Sequence, residues 1–292
     1  LGEPGFGKTT LAKVMSSTMT GLPFDLYETA QIQGHPDQTF ETMIARLDFS
    51  KIHERESVIW LLSAYLDSRI VDEINRLPAG KQDELLNAMQ TGRFSYLNST
   101  FFKENTSFTA TANHQDNGTN VMIPPLRDRF GIVTRLQFYS EADLAKIVVR
   151  AGNILNIEVE ALGATEIARR SRGTPRIANR LLRRVRDFAQ MSVESKITQD
   201  TAMSALKILG IDDNGFDVTD RKLLQTILKD FDGGPVGIES VAAAMGDERS
   251  TIEDVLEPFL IQQGYIARTA RGRIATKKAF DIFGLIKPAD AK

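Results

Sequence analysis

The chain has 292 residues, of which 42% are hydrophobic and 25% are charged, and its formal net charge is −2. This composition is that of a globular protein with room for two or three domains. Because there is no cysteine, the composition excludes a disulfide framework and a thiolate metal site. No apolar run approaches the ~18 residues of a membrane span. We therefore expect a cytoplasmic protein without membrane contact.

A complete phosphate-binding motif opens the chain. Residues 2–9 read GEPGFGKT, which fits G-x-x-x-x-G-K-[ST] without a mismatch. Gly5 and Gly7 would let backbone N–H groups approach phosphate oxygens, and Lys8 would bring a charge to the β- and γ-phosphates. The Thr9 hydroxyl suits Mg²⁺. We expect the motif and the next residue to bind ATP: Gly2, Glu3, Pro4, Gly5, Phe6, Gly7, Lys8, Thr9 and Thr10.

The motif begins one residue after Leu1, which is not a methionine. A strand normally leads into a loop of this kind, so we expect the chain to be a fragment that lacks this strand. Apolar residues at helical spacing predict a helix over residues 9–19, which should end at the Gly-Leu-Pro sequence of residues 21–23.

The second half of an ATPase site is predicted at residues 70–73. Two apolar residues precede Asp72 and Glu73 there. Asp72 would hold the shell of Mg²⁺, and Glu73 would orient or deprotonate the attacking water. Ser68 and Arg69 stand where a buried strand normally has apolar residues, so the sequence leaves the start of this strand poorly defined.

The next elements predicted are a helix over residues 81–89, a β-hairpin within residues 92–108 and a strand over residues 108–113. Asn113, beyond the tip of that strand, could hold the lytic water or sense the γ-phosphate. Arg129, with Arg127 as the second choice, could reach the ATP of a neighbouring subunit and neutralise charge in the transition state. The alternative for either arginine is a surface ion pair with Asp128.

Residues 138–210 are predicted to be helical. Ser140 and Asp143 fit a capping box that opens a helix to about residue 155, and further helices are expected near 160–171, 174–190 and 198–209. Arg176, Arg180, Arg183 and Arg184 share one helical face by spacing. Composition alone would make this face a solvated surface or a source of ion pairs.

The last part of the chain has the pattern of a winged helix. After a linker at 211–215, helices are expected over 220–230 and 237–245, and a third begins at 251 and should kink or divide at Pro258. Short strands are expected over 265–268 and 273–276. Arg268, Arg271 and Arg273 in this wing are spaced to contact DNA phosphates. The alternative is a winged helix that binds only proteins.

The order of these signals resembles the AAA+ ATPases, and residues 124–284 are very similar to the RuvB family, the hexameric motors of Holliday-junction branch migration. The matching segments are 125–132, 167–189, 234–237, 251–264 and 271–273. The resemblance implies an α/β protein with three parts: a P-loop AAA+ core at 1–137, a small helical lid at 138–210 and a winged-helix DNA-binding domain at 211–292.

The resemblance also implies the cofactors, the partners and several site roles. ATP and Mg²⁺ would be the cofactors, with Thr9 and Asp72 on the metal. Glu73, Asn113 and Arg129 would be catalytic, and Arg176 would be the lid arginine that touches the γ-phosphate. The partners would be duplex DNA or a Holliday junction and further copies of the chain, which the resemblance places in a ring of six subunits.

The first 120 residues resemble RuvB less closely. Residues 70–82 are more similar to the MoxR-type branch of AAA+, the spacing from Lys8 to Asp72 is longer than in RuvB, and Asn113 stands where RuvB commonly has threonine. The hairpin is shorter than the one with which RuvB docks RuvA, so a RuvA-like partner stays an open alternative. The alternative functions are a MoxR-like chaperone ATPase that remodels protein complexes and a truncated, inactive ATPase.

Overall fold

The computed structural model of the chain forms two compact units, Leu1–Gln137 and Phe138–Lys292. It describes residues 1–2, 4–37, 43–48, 58–97, 99–113, 122–191 and 196–286. In these ranges, no helix combines the length and the apolar character that a membrane crossing requires.

Unit 1 is organised around a short parallel sheet. Strand β4 (Ser68–Asp72) lies between β1 (Ile32–Gln33) and β7 (Ser107–Ala110). Gln33 aligns with Asp72, and Val71 aligns with Ala110. The carboxyl ends of all three strands therefore lie at one edge, which is where open α/β sheets bind their ligands.

The remaining strands of unit 1 form two antiparallel pairs, β2 (Ala45–Leu47) with β3 (Val58–Trp60) and β5 (Arg93–Tyr96) with β6 (Ser99–Phe102). Its helices are α1 (Lys8–Thr20), α2 (Phe24–Ala30), α3 (Leu62–Tyr65), α4 (Ala79–Thr91) and α5 (Pro124–Asp128). The predicted helices at 9–19 and 81–89 and the predicted hairpin are thus present. Asn98, expected in the hairpin turn, lies outside the described residues.

The polar start of β4 is buried, because its side chains find partners inside the unit. The Ser68 hydroxyl donates to Oγ of Ser16 at 2.8 Å. The Arg69 guanidinium donates to the carbonyl oxygens of Ser63 and Ala64, at 2.9 and 2.5 Å, and its carbon lies 4.4 Å from the ring centroid of Phe94. Burial lowers the pKa of Arg69 to about 10. The strand therefore begins at Ser68 although sequence patterning left its start undefined.

The first half of unit 2, which we call the lid half (residues 138–211), is helical. Its helices are α6 (Glu141–Ile154), α7 (Ala161–Arg169), α8 (Pro175–Gln190) and α9 (Gln199–Ile208), and β8 (Glu158–Val159) pairs in parallel with β9 (Lys196–Ile197). Ser140 caps α6 as predicted, since its hydroxyl accepts from the backbone N–H of Asp143.

Helix α8 separates apolar from basic residues. Leu181, Leu182 and Val185 are buried in the core of the lid half. The four arginines that the spacing placed on one face are all exposed, namely Arg176, Arg180, Arg183 and Arg184.

The second half of unit 2, the winged half (residues 212–286), has its own apolar core. It contains α10 (Val218–Gln225), a π-helical turn (Thr226–Asp230), α11 (Ile238–Met245), α12 (Arg249–Thr251), a second π-helical turn (Ile252–Leu256), α13 (Glu257–Gln262), the hairpin of β10 (Ile266–Thr269) and β11 (Gly272–Ala275), and α14 (Lys277–Ile282).

In the winged half, the start of the first helix and the bounds of both wing strands differ from the prediction, whereas the division near Pro258 was expected. Helix α10 begins at Val218, because the side chain of Asp217 accepts the N–H groups of its first turn. The helix expected to kink or divide at Pro258 is divided next to it, since the second π-helical turn ends at Leu256 and Pro258 lies in the first turn of α13, where a missing N–H costs nothing. Both wing strands are displaced by one residue, because Thr269 pairs with Gly272 across a two-residue turn.

Candidate functional site

The P-loop joins directly onto α1 and has the backbone shape that phosphate binding needs. Gly5 and Gly7 have φ of 89° and 80°, in the left-handed region that favours glycine, and α1 starts at Lys8. A helix N-terminus that follows such a loop presents unpaired N–H groups to an anion. Of the other motif residues, Pro4 and Thr10 are exposed, and Glu3 lies outside the described residues. Phe6 is buried, so that only its backbone could face a phosphate.

Lys8 and Asn113 meet at the carboxyl edge of the sheet. The Lys8 ammonium donates to Oδ1 of Asn113 and to the carbonyl oxygen of Gly2, both at 2.8 Å. Asn113 lies three residues beyond the end of β7, so the predicted strand over 108–113 ends earlier than expected but still delivers its asparagine to the P-loop. A bound phosphate would lie within reach of the same ammonium.

Thr9 and Asp72 form the oxygen pair that a magnesium site requires. The Thr9 hydroxyl donates to Oδ1 of Asp72 at 2.8 Å. The same carboxylate oxygen accepts a hydrogen bond of 2.5 Å from Thr111, whose own oxygen accepts from the backbone N–H of Glu73 at 3.0 Å. Mg²⁺ takes one or two protein oxygens together with phosphate and water, and this pair fits that requirement.

Glu73 stands at the end of β4 in a left-handed conformation, with φ of 52°. Its Oε2 accepts from Arg76 at 2.8 Å and from Nε2 of Gln33 at 3.4 Å. A Cβ at Gly34 would lie 2.1 Å from the carbonyl oxygen of Glu73, so only glycine fits there. These contacts hold the carboxylate at the mouth of the site, next to Asp72.

Sequence reasoning missed four of these supporting residues: Gln33, Gly34, Arg76 and Thr111. Arg76 was within reach of a local rule, because an arginine three residues after Glu73 can pair with it. Thr111 and Gln33 are brought in by the alignment of three strands that are distant in sequence, and no local pattern marks them.

Arg127 and Arg129 are both exposed on and just after α5. Among the described residues neither forms an ion pair with Asp128, which was the alternative to a role at the site. Both line a groove of about 850 Å³ together with Lys8 and Asn113. The groove continues along the apolar face of α1, past Met15, so its volume is larger than a nucleotide site alone.

Arg176 belongs to unit 2, in the first turn of α8, where it is exposed. It follows a tight loop at residues 172–174, in which Arg172 and Gly173 both have positive φ. Contact of Arg176 with a γ-phosphate stays a prediction.

The three wing arginines have different surroundings. Arg273 donates to Oε1 of Glu257 at 2.7 Å and to Oε1 of Glu253 at 2.6 Å, and only 12% of its side chain is exposed. Arg268 donates to Oε2 of Glu257 at 2.6 Å, and the side chain of Glu257 is 1% exposed. In the part of the chain that the structure describes, only Arg271 among the three has no ion pair, and it lies exposed at the hairpin turn.

Contact of the three arginines with DNA stays a prediction, but their charges are not equally available. The buried carboxylates of Glu253 and Glu257 require positive partners. Arg273 meets that need inside the fold, whereas Arg268 pairs with Glu257 from an exposed position.

Family models match the chain in three consecutive ranges. Residues 1–130 match the AAA domain of the dynein-related subfamily, residues 139–212 match the RuvB AAA lid domain, and residues 213–284 match the RuvB C-terminal winged helix domain. The two C-terminal matches do not favour the alternative of a MoxR-like chaperone.

Solved structures of RuvB from Thermotoga maritima are similar over almost the whole chain. The structure described as the Holliday junction branch migration motor is 33% identical with a TM-score of 0.72, and the alignment covers 98% of this chain and 86% of that chain. One mutant of that protein is 34% identical with a TM-score of 0.74 and the same coverage, and another is 33% identical with a TM-score of 0.73, covering 99% of this chain and 87% of that chain.

Proposed function

The chain belongs to the RuvB family of AAA+ ATPases, and we propose that it uses ATP hydrolysis to move duplex DNA at four-way junctions. The observation that carries this proposal is the combination in one chain of a P-loop site with a lid and a winged helix that both match RuvB. The division into an ATPase domain at 1–137, a lid at 138–210 and a DNA-binding domain at 211–292 is part of the proposal.

The site supports binding of ATP with Mg²⁺. Bound Mg²⁺ would neutralise charge on the β- and γ-phosphates, with Thr9 and Asp72 as its protein ligands. Lys8 would exchange its contact with Asn113 for a phosphate oxygen. Glu73 would accept the proton of the attacking water, and Asn113 would orient that water.

Arg129 would complete the site in trans. Its exposed guanidinium is available to an adjacent copy, and a finger that acts between subunits requires a closed ring with heterologous interfaces. We propose a ring of six subunits, in which Arg176 of the lid contacts the γ-phosphate. A RuvA-like partner would be optional, since the β5–β6 hairpin is short. A chain without cysteine suits the reducing cytoplasm, which is the location that we propose.

The proposal is tested with a synthetic four-way junction that carries a fluorophore pair on its arms. We expect the wild-type chain to convert the junction only with ATP and Mg²⁺, and Lys8→Ala to bind the junction without converting it. A wild-type chain that hydrolyses ATP but neither binds nor converts junctions, with or without a RuvA-like protein, would refute the proposal.

A further inference from the structure

Arg172 of the lid half reaches into the first residues of the winged half. Its Nε donates to the carbonyl oxygen of Gly215 at 3.0 Å, and its Nη2 donates to Oδ2 of Asp217 at 3.1 Å. Both terminal nitrogens also bond the carboxylate of Asp220. Only 9% of the Arg172 side chain is exposed, so the contact excludes water on most sides.

The two carboxylates that receive Arg172 also start helix α10. Asp217 accepts the backbone N–H of Asp220 at 2.9 Å, and Asp220 accepts the backbone N–H of Asp217 at 2.9 Å, which is a reciprocal capping box. The side chain of Asp220 is fully buried. Any rotation of α10 relative to Arg172 would leave this capping box intact but would deprive the buried carboxylate of Asp220 of its positive partner.

A second arginine ties down the connecting segment. Nε of Arg170 donates to the carbonyl oxygen of Asp212 at 3.1 Å, and its Nη2 donates to Oδ1 of Asp213 at 2.5 Å. Within the segment, Oδ1 of Asp212 accepts the backbone N–H groups of Asn214 and Phe216. The stretch at 211–215, which the sequence suggested is a linker, is thus held by hydrogen bonds at both ends.

Arg172 also touches the core of the winged half. Its guanidinium carbon lies 5.1 Å from the ring centroid of Phe259, on α13. A planar cation over an aromatic face is an attractive contact, and here it joins the lid half to the helix that precedes the wing.

Arg172 lies close in sequence to Arg176, the residue proposed to contact the γ-phosphate. Four residues later stands Arg176, and the loop between them is tightened by a hydrogen bond of 3.1 Å from the Thr174 hydroxyl to the Arg172 carbonyl oxygen. Whatever displaces Arg176 moves the same loop that carries Arg172.

We propose that Arg172, through Asp217 and Asp220, is a positioning residue that fixes the winged half on the lid half, so that movement of the lid on ATP hydrolysis is passed to the DNA. This inference rests on the proposed function for its coupling step, but the rigid attachment itself does not. In this arrangement the two halves turn as one body. A flexible linker at residues 211–215 would instead let the winged half move independently of the lid half.

The attachment is tested first without any activity. Because the chain has no cysteine, Gln190→Cys and Gln262→Cys give two unique, exposed label positions, one in each half. Spin labels at these positions should show one narrow distance distribution in the otherwise wild-type chain. Arg172→Met should broaden it, whereas Lys146→Ala, which removes an exposed ion pair of the lid half, should not. A narrow distribution for Arg172→Met would overturn the proposal.

The coupling is tested next by base pairs migrated per ATP hydrolysed. For Arg172→Met we expect this ratio to fall about fivefold or more, while basal hydrolysis and duplex affinity stay within about twofold of wild type. Arg172→Lys should recover part of the ratio. If Arg172→Met does not fold, the double variant with Asp220→Asn, which leaves no buried charge unpaired, replaces it in both measurements. An unchanged ratio of base pairs migrated to ATP hydrolysed in Arg172→Met would overturn the proposal. A wild-type chain that moves no junction would contradict the proposed function but not the attachment of the two halves, because the label distances test that attachment independently.

Discussion

The hydroxyl of Thr9 lies 2.8 Å from Oδ1 of Asp72, although 63 residues separate the two in sequence. The contact joins the first turn of α1 to the last residue of β4. It arises because the P-loop returns the chain to the carboxyl edge of the sheet, where both oxygens face the same space as Lys8.

Thr9→Val should lose the dependence of nucleotide binding on Mg²⁺. The valine keeps the shape of threonine but removes the oxygen that would ligate the metal. We expect the affinity for ATP with Mg²⁺ to fall on the order of 10–100-fold, and the affinity in EDTA to stay unchanged. Calorimetric titration measures both. Thr18→Val, at an exposed position further along α1, is the control, and an equal loss in both variants would contradict a metal role for Thr9.

Glu73→Gln should separate ATP binding from hydrolysis. The amide keeps the hydrogen bond to Arg76 but cannot take a proton from water. We expect kcat to fall about 10²–10⁴-fold with little change in ATP affinity. Steady-state phosphate release gives kcat, and Glu84→Gln on α4 serves as the control. Hydrolysis at the wild-type rate would show that Glu73 is not the base.

Arg129→Ala and Lys8→Ala subunits should complement each other. Each variant alone is expected to be inactive. In a random equimolar ring, about a quarter of the interfaces combine an intact Lys8 with an intact Arg129, so a corresponding part of the wild-type hydrolysis should return. The measurement is ATPase activity across mixing ratios, with co-assembly verified by native mass spectrometry. Arg127→Ala in place of Arg129→Ala distinguishes the two arginines, and absence of recovery in co-assembled rings argues against a role in trans.

Arg271→Ala should affect duplex binding, whereas Arg273→Ala should affect the stability of the fold. Loss of the exposed Arg271 should weaken duplex binding, lower the slope of log affinity against log salt by about 0.9, and leave stability unchanged. Loss of Arg273 leaves Glu253 paired only with Arg249 and Glu257 paired only with Arg268, so we expect a destabilisation of about 1.5–3 kcal/mol. Urea unfolding and a salt series of binding measurements separate the two. Equal stability of both variants would contradict the structural role of Arg273.

Asp220 should make the free energy of unfolding fall as the pH rises. Burial raises the pKa of its carboxyl from 3.8 to about 7 in the folded chain, against the opposing charge of Arg172. The folded state then holds a proton that the unfolded state has released, so this stabilisation is fully present below the unfolded pKa and is lost as the pH approaches the folded one. Relative to Asp220→Asn, the wild-type chain should lose about 2 kcal/mol between about pH 5 and about pH 7. Urea unfolding of both chains measures this difference, and parallel stabilities would contradict it.

The features that could be predicted from the sequence are those determined by a few adjacent residues. The glycine spacing of the P-loop and the cap at Ser140 each depend on a few adjacent residues, and each is present in the structure. Asp72 and Glu73 were identified because a P-loop gives meaning to an acidic pair at the end of a strand. What they contact was not identified, since Thr111 and Gln33 arrive through strand alignment.

Charge was the least predictable property. By composition, Arg69 argues against a buried strand, yet its Nε and Nη2 donate to carbonyl oxygens of a short helix and its guanidinium lies over the ring of Phe94. Arg268 and Arg273 read as a basic wing, yet they neutralise Glu253 and Glu257. An arginine in sequence specifies a positive charge, but only the fold decides whether that charge is directed inward or outward.

Strand β4 joins two places that would otherwise be independent. Its second residue, Arg69, holds the β5–β6 hairpin through Phe94, and its last residue, Asp72, holds Thr9. At about 3.3 Å per residue, the two contacts are roughly 10 Å apart along a single stiff segment of backbone. A partner that displaced the β5–β6 hairpin would therefore act on the same strand that carries Asp72, the proposed metal ligand.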